Sequence, residues 1–151
     1  MNKIAVFPGS FDPFTFGHKN VVERALPLFD KIIIAIGVNA EKKTTFTVDQ
    51  RIAGIASTFI NENKIEVFEY SGLTVDFCKK HNARFILRGI RNSIDFEYEK
   101  AIAEMNKAIG NGVESIFICS DPVFSTLNST IIRDLYRNGH DVSKYVPFPI
   151  S

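Results

Sequence analysis

A chain of 151 residues, 45% of them hydrophobic, can build one domain with a buried core and is too short for two ordinary ones. Eighteen Lys and Arg against 17 Asp and Glu leave a formal charge of +1, which excludes the basic footprint of a protein that wraps a nucleic-acid backbone. Any phosphate recognition has to be local.

Lys3 to Phe7 reads as a short strand that Pro8-Gly9 ends, because proline removes a ladder donor and glycine permits positive φ. From Gly17 onward, His18, Val21, Val22, Ala25, Leu26 and Phe29 recur at helical spacing, which places Thr15 to His18 in a first helical turn. Pro27 weakens the last turn before an end near Phe29. A helix N-terminus presents unpaired N–H groups and the positive end of the macrodipole, a setting suited to phosphate. Gly17 lets a ligand come close, and an imidazole at His18 can donate to an oxyanion without itself being transformed. For an isolated T-x-G-H tetrapeptide the alternative is a capping Thr15 beside a histidine that merely packs.

Lys31 to Val38 is the β-branched and aliphatic run of a central parallel strand covered on both faces. Asn39 to Thr45 follows as a polar loop carrying Lys42, at the strand end where open α/β sheets bind ligands. Thr47-Val48-Asp49-Gln50 fits a capping box that opens a helix to about Asn61 through Ile52, Ile55, Ala56 and Phe59. Lys64 to Tyr70 is the next strand. A short helix through Leu73, Val75, Phe77 and Cys78 then leads to a buried strand, Ala83 to Leu87, with Arg88-Gly89-Ile90-Arg91 at its carboxyl end. Tyr98, Ala101, Ile102, Met105 and Ile109 trace one face of a helix from Ser93 or Ile94, stopped by Gly110-Asn111-Gly112. Glu114 to Cys119 gives a last strand, and Asn128-Ser129-Thr130 opens a helix ending at Gly139. Two prolines between Val146 and Ser151 exclude a helix there.

Strand and helix patterns alternate about five times, which predicts an α/β fold: a doubly wound, Rossmann-like, five-stranded parallel sheet in a single domain over residues 1–151. Cys78 and Cys119 lack metal-ligand spacing and read as buried free thiols in a reducing compartment; with His18, His81 and His140 scattered, no metal site is visible. The longest apolar stretch, Ile32 to Val38, is far below the roughly 20 residues that span a bilayer. Met1 to Phe7 lacks the apolar core of a signal peptide. No membrane, no nucleic acid and a cytoplasmic location are therefore expected.

Gly9-Ser10-Phe11-Asp12-Pro13 followed by Thr15-Phe16-Gly17-His18 resembles the opening of nucleotidylyltransferases with an (H/T)-x-G-H signature. Lys42, Phe46-Thr47 and Arg51, then Arg88 to Arg91 with Asp95 to Glu99, then Ser129-Thr130 with Arg133, fall in the order of the bacterial phosphopantetheine adenylyltransferases, so the chain resembles that family over nearly its whole length. The resemblance implies ATP bound across Ser10, Phe11, His18, Gly89, Ile90, Arg91, Glu99 and the run Phe124, Ser125, Thr126, Leu127, Asn128, Ser129 and Thr130. It implies 4′-phosphopantetheine held by Ser10, Lys42, Thr74 and Arg88, with His18, Lys42 and Arg91 as catalytic residues, Mg²⁺ accompanying ATP, dephospho-coenzyme A as product and a homohexamer. On spacing alone Lys42-Lys43 reads as a solvated doublet, Arg88 and Arg91 as surface cations and Glu99 as part of an exposed acidic face. Another nucleotidylyltransferase with a different phosphorylated acceptor, or a nucleotide sensor without turnover, remains open from the residues. Asn128, Phe124 and Thr74 depart from the family pattern, which commonly shows a serine, a tryptophan and a larger apolar residue there, and the non-helical tail stands where relatives continue into a helix.

Overall fold

Five β-branched or aliphatic segments pair in parallel because each is followed by a helix that carries the chain back across the sheet. The computed structural model describes residues 2–150. Its strands are β1 (Ile4–Gly9), β2 (Lys31–Gly37), β3 (Ile65–Tyr70), β4 (Phe85–Ile90) and β5 (Glu114–Cys119). The helices are α1 (Phe16–Ala25), α2 (Val48–Thr58), α3 (Thr74–Lys80), α4 (Ser93–Ile109) and α5 (Ser129–Arg137). The strand order β3-β2-β1-β4-β5 is that of a doubly wound sheet, with its topological switch between β1 and β4. Ile32 to Ile36 are all at or below 1% exposure, as the unbroken run in β2 requires of a strand covered on both faces. Replacing Ile34 with Ala is expected to cost about 2–5 kcal/mol, the range for a large-to-small core change, read as a lowered midpoint in denaturant unfolding.

Several boundaries differ from the sequence reading. β1 continues through Pro8 and Gly9, which register with Ala35 and Ile36 of β2. Proline is tolerated because the β1–β4 ladder extends only over Ala5 and Val6, and the Pro8 carbonyl on that side is taken by the Arg88 guanidinium at 2.6 Å. The residue that turns with positive φ is Phe11, at +47°, and not Gly9. Gly9 is needed for space, since a Cβ there would lie 2.9 Å from the Phe11 ring. β4 also runs on to Ile90, because Arg88, Gly89 and Ile90 each have a partner in β5.

α2 ends at Thr58, and its Ala56 is exposed. Its Thr47–Gln50 capping box is present, with Gln50 N donating to Thr47 Oγ1 at 3.1 Å and Thr47 N to Gln50 Oε1 at 2.8 Å. Cys78 is buried as expected, but Cys119 is exposed because it ends β5 beyond the helical cover. The apolar face of α4 is also largely uncovered: Tyr98 is 69% and Met105 61% exposed, and Glu99 is the helix's one buried residue. The tail forms no helix over 146–150; instead the Phe148 ring lies against Gly54 of α2.

Candidate active site

The loop leaving β1 is held at three carbonyls by cations and a hydroxyl from elsewhere in the chain. Buried Arg51 of α2 donates Nη1 to Ser10 O at 2.7 Å, Arg133 of α5 donates Nη1 to Asp12 O at 2.8 Å, and Ser129 Oγ donates to Pro13 O at 3.0 Å. The loop delivers Thr15 as the N-cap of α1. His18 N donates to Thr15 Oγ1 at 3.3 Å, and Thr15 N donates to His18 Nδ1 at 2.9 Å. A histidine in the N3 position thus completes a capping box usually closed by Glu or Gln.

That hydrogen bond decides the tautomer. A backbone N–H can only donate, so Nδ1 is unprotonated and the neutral ring carries its proton on Nε2. The ring sits among Phe7, Phe11 and Phe14, with centroids 5.1–6.3 Å away. Desolvation by this packing, with the charges of Arg88 and Arg91, lowers the His18 pKa to about 3. The folded-state value therefore lies below the unfolded one, so the unfolded chain binds the extra proton between them. The corresponding stability is present above about pH 6.5 and is lost as pH falls toward 3. The ¹⁵N shifts of the His18 ring should remain those of the Nε2–H tautomer from pH 8 down to pH 5; a midpoint near the usual 6.5 would contradict this environment.

Beyond Val6 and Ile86, β1 and β4 are no longer paired, and the charged side chain of Arg88 enters that gap. Its guanidinium bonds Glu99 bidentately, Nε to Oε2 at 2.8 Å and Nη2 to Oε1 at 2.7 Å. Two clefts flank this pair. The first, about 320 Å³, lies between the N-terminal ends of α1 and α5, and His18, Arg88, Arg91 and Ser129 all line it. The second, about 780 Å³, runs over the carboxyl ends of β2 and β3 toward α4. Pro8, Gly9, Ser10, Arg88 and Glu99 line both, so they form the shared wall.

Most of the residues singled out from sequence converge here. Ser10, Phe11, Gly89, Glu99, Phe124, Leu127 and Asn128 join His18, Arg91 and Ser129 around the first cleft. Ser10, Lys42, Thr74 and Arg88 line the second together. Ile90, Ser125, Thr126 and Thr130 are outside both linings. Glu99 is buried and paired, not part of a solvated acidic face. Arg91 donates Nε to Asp95 at 3.1 Å and Nη1 to Leu127 O at 3.1 Å, which ties β4's exit to the loop before α5. Phe124 and Leu127 lie 3.8 and 3.9 Å from where a Gly17 Cβ would stand, so this loop closes over the start of α1.

Sequence reasoning gave no role to Asp12, Arg51 or Arg133, which hold the β1 loop, nor to Asn20, whose Nδ2 donates to Asp121 at 2.8 Å and braces the loop after β5. The available signals were the place of Asp12, Arg51 and Arg133 among the residues that carry the family resemblance and, for Asp12, a charge set between Phe11 and Pro13.

Residues 6–135 match the cytidylyltransferase-like family. The chain is 52% identical to a phosphopantetheine adenylyltransferase of Flavobacterium psychrophilum over 95% of this chain and 94% of the relative. It is 47% identical to that of Cytophaga hutchinsonii over 99% of this chain and the whole of the relative. Among solved structures, a bifunctional NMN adenylyltransferase/ADP ribose pyrophosphatase from Francisella tularensis superposes with a TM-score of 0.75 at 21% identity, covering 97% of this chain and 45% of that one; at this identity the likeness concerns the fold.

Proposed function

The chain belongs to the cytidylyltransferase-like family and, within it, to the phosphopantetheine adenylyltransferases, and from that membership we propose that it transfers the adenylyl group of ATP to 4′-phosphopantetheine, giving dephospho-coenzyme A and pyrophosphate. The observation that carries this reading is the pair of clefts sharing one wall at Ser10, Arg88 and Glu99, with His18 in one cleft and Lys42 in the other. A nucleoside triphosphate fits the first, between two helix N-termini. A phosphorylated acceptor fits the second, with its phosphate against the wall.

An oxygen of the acceptor phosphate attacks the α-phosphorus in line; the new P–O bond forms as the bond to the bridging oxygen breaks, and pyrophosphate leaves with that electron pair. A phosphate is already nucleophilic, so positioning and charge stabilisation are what the protein must supply. His18, neutral and protonated on Nε2, donates to an α-phosphoryl oxygen and keeps its proton. Lys42 draws acceptor and α-phosphate together. Arg88, set by Glu99, receives the acceptor phosphate. Arg91 neutralises the departing pyrophosphate on exchanging its Leu127 carbonyl for phosphate oxygens. Gly89 and Ser129, the latter opening α5, complete the nucleotide cradle. The cleft's acids, Asp95 and Glu99, are engaged by Arg91 and Arg88, so Mg²⁺ is taken as part of the substrate, held by ATP oxygens and water.

The test is pyrophosphate release with 4′-phosphopantetheine, ATP and Mg²⁺, each omitted in turn. Release only with the complete set is expected. Release with nicotinamide mononucleotide in place of 4′-phosphopantetheine, or nucleotide binding without release, would overturn the assignment. Among the described residues no helix is long and apolar enough to cross a membrane, and cytoplasmic action is part of the proposal. So is a homohexamer: exposed Ile94, Tyr98, Met105 and Ile109 give α4 an apolar stripe of the kind an interface buries. Sedimentation equilibrium should return six chain masses, and a monomer would refute the assembly.

A further inference from the structure

We propose that Asp12 is a positioning residue for Lys42, fixing the distance between the loop that carries His18 and the loop that carries Lys42. The proposal rests on the role given above to Lys42.

Asp12 is 3% exposed, and its carboxylate accepts two backbone N–H groups of the β2–α2 loop, from Phe46 at Oδ1 and from Thr45 at Oδ2, each at 2.9 Å. These bonds join two segments that lie 33 and 34 residues apart and do not touch through a shared strand. The tie is reinforced from outside. Arg137 Nη2 donates to Thr45 Oγ1 at 2.6 Å, the Phe46 ring packs 5.0 Å from that of Tyr136, and Arg133 holds the Asp12 carbonyl. At its other end the loop is closed by Asn39, which accepts from Glu41 N and Lys42 N at 3.0 Å each.

Lys42 therefore stands on a short span anchored at both sides, its own side chain left to line the second cleft. Packing alone would not call for a carboxylate here. An acceptor of two parallel N–H groups fixes the loop's translation as well as its contact, and a displacement of the order of 1 Å at a reacting group costs as much as 10²-fold in rate.

The experiment is a pair of double-mutant cycles on the full-length protein, reading kcat for pyrophosphate release at saturating substrates. Asp12→Asn keeps the shape but turns an amide N–H₂ toward one of the two N–H donors, and should lower kcat by roughly 10–10²-fold. Added to Lys42→Ala, it should change kcat by no more than about twofold, which is within the error of additivity, because the group it positions is gone. Added to His18→Ala, it should keep its full factor. A merely structural Asp12 would impose the same penalty on both backgrounds, and that result overturns the proposal. If Asp12→Asn does not fold, Arg137→Ala, which loosens the same loop from its exposed side, should show the same dependence on Lys42 at smaller amplitude; equal penalties in both backgrounds again refute it. Should Lys42→Ala alone leave kcat unchanged, the role of Lys42 itself fails, which the single mutant shows independently of Asp12.

Discussion

His18→Ala should lower kcat by roughly 10²-fold or more, the scale for losing one oxyanion donor, while KM for ATP changes much less. The split follows from where the proton is. Nδ1 is committed to Thr15 N, so the only hydrogen the ring can offer the substrate is on Nε2. An acceptor that gains charge in the transition state strengthens that bond more than a ground-state phosphate does. The same variant strips Thr15 N of its partner and α1 of half its capping box, at about 1 kcal/mol of stability. Kinetics are therefore measured well below the unfolding midpoint. Turnover like that of the unmodified protein would remove His18 from the mechanism. A parallel rise in KM for ATP without loss of kcat would make it a binding group only.

How much of this was legible in the sequence depended on whether a residue's role is local. The capping boxes at Thr15 and Thr47, the buried run of β2 and the stop at Asn111-Gly112, both with positive φ, are properties of adjacent residues, and patterning exposes them. Pro8 misled because its cost depends on a neighbour: proline breaks a ladder only where a ladder exists, and the β1–β4 pairing has already stopped. Arg88 was placed just outside a strand for the mirror-image reason, its pairing to Phe117 of β5 being a long-range fact. Glu99 looked like a solvated acid among Asp95 and Glu97 because helical periodicity does not reveal a cation eleven residues earlier in the chain that turns back toward it. Asp12, Arg51 and Arg133 act through backbone atoms of distant segments, and a backbone atom has no letter in a sequence.

Arg88 also governs the second large effect, because its guanidinium stands in the wall shared by the two clefts and joins the Pro8 carbonyl of β1 to both carboxylate oxygens of Glu99 on α4. Arg88→Met should reduce kcat/KM for 4′-phosphopantetheine by about 10²–10³-fold, the loss of one or two charge-assisted hydrogen bonds to a phosphate. It should also lower stability by up to about 3 kcal/mol, the low end for an abandoned buried charge, since the Arg88 side chain is itself 31% exposed and Glu99 10%. Arg88→Lys separates the two contributions. An ammonium restores a charge beside Glu99, so most of the stability should return. It cannot span both Glu99 oxygens and the Pro8 carbonyl at once, so the acceptor phosphate loses its oriented fork and kcat/KM stays low. Denaturant unfolding and steady-state kinetics on the two variants are the measurements. Full activity in Arg88→Lys would mean that only charge matters at the wall between the clefts, and unchanged kinetics in Arg88→Met would place the acceptor phosphate elsewhere.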